Sequence, residues 1–297
     1  MNALLLASAL VVAPAQQAPD TITPTFDWTA GTVLEASITL EQVQGQDGQT
    51  QPGPAIEATA RRTIADHPQG LLVTSTVDGQ QGSANPPFVV SDDGDFLGVE
   101  GVEQMVSRMR DQMLAGVRAQ TGGTVPPEAE AMADQMFTAE SLEASVREEH
   151  QLLVGFWADR TWDLNGVQMT RTATQDGLTQ AIVPTDVELS WKGYAACAPG
   201  EAPESCIELQ AELFPDANAV ATSFESLLTA QNPGAVIVNR ATIERTVRIL
   251  AHPESLVPRL VEDVTNATFD IESEGEIVEL TLDVTERTTF TVGGGLR

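Results

Sequence analysis

The chain has 297 residues, with 15 Lys and Arg against 43 Asp and Glu, a formal net charge of −28, and 42% apolar residues. That apolar share is enough for a packed core and excludes a wholly disordered chain. The charge opposes phosphate backbones and anionic lipid surfaces, which argues against nucleic acid as a partner, and two cysteines are too few for a disulfide-rich scaffold or a four-thiolate zinc site.

Residues 3–13 are apolar apart from Ser8, and Ala13-Pro14-Ala15 places small residues where a signal peptidase reads. The run is too short for a membrane-spanning helix, which needs about 20 residues. It predicts a secretory signal over residues 1–15, lacking the usual basic start, and export to the periplasm or the extracellular space. No later apolar run reaches spanning length, so no transmembrane segment is expected in the mature chain. Residues 16–30 are polar and read as a loose segment. The main domain is then expected over residues 31–292, with a sub-boundary near 159–166.

Strand patterns begin at Leu34, Ala36, Ile38 and Leu40, which alternate with Glu35, Ser37, Thr39 and Glu41. Period two places one face in a core and one in water. Residues 45–54 read as a polar turn, 56–65 and 71–77 as strands, and 88–90 as a short strand entering the turn at residues 91–95. This is an antiparallel meander.

The period then changes. Val102, Met105, Val106, Met109, Met113 and Val117 recur at helical steps up to Gly122-Gly123. A second helical piece follows Pro126-Pro127 to about Met136. A third runs over 141–156, with Leu142, Val146, Leu153 and His150 turned inward and Thr138 or Ser141 as the cap. Strands resume at 167–174 and 178–183 around Gln175-Asp176-Gly177, a hairpin signal. Val187, Leu189 and Trp191 alternate before Cys197, and Ile207, Leu209, Ala211 and Leu213 after Cys206. A helix over 215–231 and strands over 242–250, 257–269 and 277–290 complete the chain. Without βαβ alternation, a Rossmann-like parallel sheet is not expected. The predicted class is α+β: one or two large, curved antiparallel sheets with a central helical block packed on one face.

Cys197 and Cys206 flank a spacer of turn formers, which predicts a disulfide between two strands in an oxidising compartment. A redox pair would take Cys-x-x-Cys spacing near a helix start. His67, His150 and His252 are isolated, and Glu148-Glu149-His150 does not form the zinc motif. Asp92, Asp93 and Asp95 around Gly94 are the calcium candidates, although EF-hand spacing would put Val89 at the first ligand position. A tight acidic turn explains the same residues. There is no Gly-x-Ser-x-Gly, no Ser-x-x-Lys and no phosphate-binding glycine loop. No catalytic residue, metal or cofactor is therefore assigned.

Met105, Met109 and Met113 lie at steps of four on one helix face, and Met132 and Met136 repeat the spacing. Such a stripe packs a core; methionine's flexible, polarisable side chain also suits an irregular apolar binding site. These five residues are the candidate ligand-binding set. In the last third of the chain His252-Pro253-Glu254-Ser255-Leu256-Val257-Pro258 forms a turn between two long strands. In this turn and in its organisation the chain resembles the periplasmic lipoprotein-carrier proteins, in which a curved antiparallel sheet embraces helices. The resemblance implies a non-enzymatic envelope protein whose partner is a hydrophobic, lipid-like small molecule or another envelope component. The alternative is an interaction or scaffolding protein that meets a basic partner through its acidic surface.

Overall fold

The computed structural model describes residues 19–78, 83–176, 179, 181–231, 236–273 and 275–293. The predicted signal at residues 1–15 and the turn residue Gly177 lie outside them. Twelve strands form one antiparallel sheet: β2 (Val33–Gln46), β3 (Gln49–Pro52), β4 (Ile56–His67), β5 (Gly70–Val77), β6 (Ser83–Val90), β7 (Phe96–Val99), β9 (Val167–Gln175), β10 (Ile182–Ala195), β11 (Cys206–Pro215), β12 (Val236–Ala251), β13 (Pro258–Ser273) and β14 (Glu276–Gly293). A separate pair joins β1 (Thr21–Ile22) to β8 (Trp162–Asp163). Among the described residues four α-helices complete the fold: α1 (Val102–Thr121), α2 (Pro127–Met136), α3 (Ala139–His150) and α4 (Ala217–Gln231).

The strand order is β7-β6-β5-β4-β2-β14-β13-β12-β11-β10-β9, with β3 paired beside β2. Two meanders, β2–β7 and β9–β14, thus join where β2 meets β14, in register from Val33↔Gly293 to Gln46↔Leu280. Among the described residues the sheet is not closed. Its two edges, β7 and β9, are the strands between which the chain runs through α1, α2 and α3. Helix α3 touches β6 and β7 at one edge and β9 at the other, so it spans the gap that strand pairing leaves open. Helices α1 and α2 make their main contacts with each other and, for α1, with α3.

Alternation sets the faces. Leu34, Ile64, Val73, Leu189, Leu209 and Ile249 are buried on the inner face, together with Val146 of α3 and Leu152, Val154 and Trp157 just after it. A second apolar cluster on the same strand parity lies under α4, with Val220 against Val238, Ala241, Ala267 and Phe269. Thr138 caps α3 as predicted: its hydroxyl accepts from the Ser141 backbone N–H at 3.0 Å, in a reciprocal capping box. After His150 the helix widens into a π-helical turn, Gln151–Gly155.

Residues 19–30 are held rather than loose. Ile22 and Trp28 are buried, and the Thr25 and Asp27 amides donate to the Pro253 and Ser255 carbonyls. The apolar side chains fixing this segment are spaced among prolines and threonines, which masks them as a pattern. The Cys197–Cys206 disulfide is present and joins the β10 and β11 ends, with Cys206 packed on Leu250 and Leu260 on the outer face.

Candidate ligand cavity

The inner face is apolar at both ends of its long strands and charged in between. In β12 the parity reads Ile243, Arg245, Val247, Ile249; in β13 Val261, Asp263, Thr265, Ala267; in β14 Leu282, Val284, Glu286, Thr288, Phe290; in β4 Ala60, Arg62, Ile64. Each strand interrupts its apolar side with charged or polar residues, and the register brings those interruptions together: Asp263 lies opposite Glu286 and Thr265 opposite Arg245. Helix α3 supplies the facing layer. Ser145, Glu148, Glu149 and Leu152 follow helical steps of three and four and line the space below.

Arg245 is the centre of this belt. It makes a fork with Asp263, Nε and Nη2 donating at 2.9 and 2.7 Å, and donates a short hydrogen bond to Glu148. Burial works against its charge, but the paired carboxylates outweigh that cost and hold the guanidinium well above its ordinary value. Glu148 also accepts from the Gln175 backbone N–H at 2.9 Å. Arg62, 8% exposed, pairs closely with Glu149 and donates to Ser75 at 3.3 Å, while its Nη1 is buried without a partner. Glu286 stands open to the cavity. Partial desolvation and the facing Asp263 carboxylate push its carboxyl above the usual range.

Two cavities meet on this belt. One, about 360 Å³, has apolar walls that include Ile38, Leu153, Val261 and Phe290. The other, about 410 Å³, includes Leu213, Ile243, Leu282 and Val284. Ser145, Glu148, Arg245, Asp263 and Glu286 line both. The result is a trough of ligand size, apolar on both sides of a charged waist. Glu148 and Asp263 are both engaged by Arg245.

The sequence-predicted candidates lie elsewhere. Met105 is buried on α1, Met109 and Met113 are half-buried there, and Met132 is half-buried on α2; Met136 is outside the residues whose side chains are described. Neither belt cavity is lined by Met105, Met109, Met113 or Met132. Asp92, Asp93 and Asp95 sit in the β6–β7 turn, which Ser91 closes by accepting from the Gly94 and Asp95 amides. Among the described residues no group of three or more His, Cys, Asp or Glu is arranged to hold a metal ion. No helix among them is long and apolar enough to cross a membrane. Sequence reading missed the belt, although a signal was present: a charge on the apolar parity of three successive strands.

No protein-family model matches the chain, and no curated protein sequence matches it. Among solved structures it is similar to lipovitellin, in a structure of lipid–protein interactions, at 11% identity and a TM-score of 0.40, covering 91% of this chain and 26% of that one. It is also similar to an outer membrane channel from Pseudomonas putida F1, at 7% identity and a TM-score of 0.16, covering 90% of this chain and 98% of that one. The chain thus spans about a quarter of the length of the lipovitellin chain.

Proposed function

We propose that this is an exported, non-enzymatic envelope protein that holds a hydrophobic, lipid-like ligand in the trough beneath α3. The observation that carries the reading is the meeting of two apolar-walled cavities on one charged waist. A ligand with apolar chains would lie along the walls, and its polar group would reach the waist. Arg62 and Arg245 line the waist and suit an acceptor there. Burying apolar ligand surface at about 25 cal/mol per Å² supplies the affinity, while the waist sets orientation. The disulfide agrees with an oxidising compartment. In this reading the methionine face of α1 gives α3 a deformable backing, so that the cover yields as the ligand enters.

The test is titration of the purified chain with N-phenyl-1-naphthylamine, a neutral apolar fluorophore, alongside native mass spectrometry of gently purified protein. Saturable fluorescence is expected, weakened roughly tenfold or more in Val261→Trp and Leu282→Trp, each of which fills one cavity. A lipid-mass adduct lost on denaturation is expected in the mass spectrum. Probe binding that is unchanged in both folded variants would overturn the proposal.

A further inference from the structure

A third cavity, of about 300 Å³, lies where α3 meets the two sheet edges, and its chemistry differs from that of the trough. It is lined by Arg147, Arg160 and Arg171, by His150, and by Thr170 and Thr172, with Asp95 as its one carboxylate among the described residues. A chain with 15 basic residues against 43 acidic ones gathers three arginines around one small space. They come from three places: α3, the segment after the π-helical turn, and β9. Arg147 is held by Glu143 and lies over the Phe96 ring at 4.8 Å. Arg171 meets Asp186 only at 3.6 Å, and Arg160 has no ion-pair partner among the described residues. All three are solvent-exposed and present further N–H groups.

His150 is the second, independent observation. It is 2% exposed and wedged between Phe88 and Phe96, at ring separations of 6.1 and 5.7 Å. Neither ring nitrogen has a hydrogen-bond partner among the described residues. The Gly94 backbone lies close enough to favour the proton without completing such a bond. Buried polar groups left unpaired cost about 1–3 kcal/mol each and are rare for that reason. The ring borders the cavity, with both nitrogens closed off from open space. The π-helical turn that starts one residue later is a distortion found often at functional sites.

We infer that this seam is an oxyanion site for a phosphate group. Arginines from three elements line one space, and several cations around one anion suit a tetrahedral phosphate. Thr170 lines the same space, while the Thr172 hydroxyl donates to Gln151 at 3.4 Å. The group is either free phosphate or the phosphate of a lipid headgroup, and the two share this chemistry. The site stands apart from the trough and does not depend on it.

The experiment is titration of the intact chain with sodium phosphate at pH 7, against sodium chloride of matched ionic strength, read by the His150 ring resonances and by Tm. Saturable phosphate binding is expected, with both readouts moving. Arg160→Ala and Arg171→Ala, exposed substitutions, should each weaken it roughly tenfold or more. Arg118→Ala, a substitution on α1 away from the cavity, should leave it unchanged. Dihexanoyl phosphatidate forms the second arm: tighter binding than phosphate upholds the site with a headgroup source, and equal or weaker binding upholds it with free phosphate. A phosphate response no larger than that of chloride, or one surviving in the Arg160→Ala/Arg171→Ala double variant, overturns the inference.

Discussion

Lowering the pH should weaken this protein through His150 in particular. Burial dominates its environment and depresses its pKa from 6.5 to about 4. The Gly94 backbone, Glu149 and Asp95 pull the other way, Arg147 adds to the depression, and Arg160 and Arg171 border the same cavity. The folded pKa is the lower one. Between pH 6.5 and about 4 the unfolded chain therefore binds a proton that the folded chain refuses. The stability this neutral ring contributes is full above pH 6.5 and lost as the pH falls, with the loss complete below about 4. At about 1.4 kcal/mol per pH unit, the gap is worth about 3 kcal/mol. Urea unfolding in phosphate-free buffer at several pH values measures it. His150→Phe serves as the comparison, since it keeps an aromatic ring between Phe88 and Phe96 and removes the titration. Protonation of the many surface carboxylates affects both proteins alike and cancels in the difference. The wild type should lose about 3 kcal/mol more than the variant between pH 7 and pH 4. Parallel loss in the two proteins, or a His150 resonance titrating near 6.5, would refute the reasoning.

Three further outcomes are expected. Arg245→Met leaves Glu148 and Asp263 without their shared cation and should cost about 3–5 kcal/mol in urea unfolding, most of it recovered in Glu148→Gln/Arg245→Met/Asp263→Asn. Glu286→Gln should raise Tm at neutral pH, because the folded chain holds this carboxyl above its ordinary pKa; the gain should vanish below about pH 4.5, where the group is protonated in both states. Gly94 has φ +89°, and an added Cβ would sit 2.8 Å from the Phe26 ring, so Gly94→Ala should destabilise by about 1–3 kcal/mol in thermal unfolding.

Local signals were legible in the sequence. The alternation of β2 and β14, the helical steps of α1, the Thr138–Ser141 cap and the Cys197–Cys206 bridge depend on neighbours along the chain. The belt depends on distant ones. Arg245 and Glu148 are 97 residues apart, and Arg62 and Glu149 are 87 apart. A lone charge on an apolar parity reads as noise until the register sets Asp263 against Glu286. His150 was expected to face inward, but its lack of partners is a property of the packed rings around it. The methionine stripe shows the reverse case: a clear periodicity identified a helix face, while the large cavities formed under a different helix. Residues 19–30 read as loose because their anchors bind a turn more than 200 residues away, as in the Thr25 hydroxyl's bond to the Glu254 carbonyl.

The β2–β14 seam has a consequence for how the molecule is made. The Thr289 hydroxyl meets the Ser37 carbonyl across 252 positions of sequence. A nascent chain presents β2 long before β14 exists, so the N-terminal meander waits with one side of β2 unpaired. Pairings of such sequence separation are slow to form, and an unpaired strand edge invites other chains. Strand β14 therefore acts as a fastener that joins two half-sheets into one. Synthesis interrupted before β14 would leave two open edges in place of the middle of the sheet.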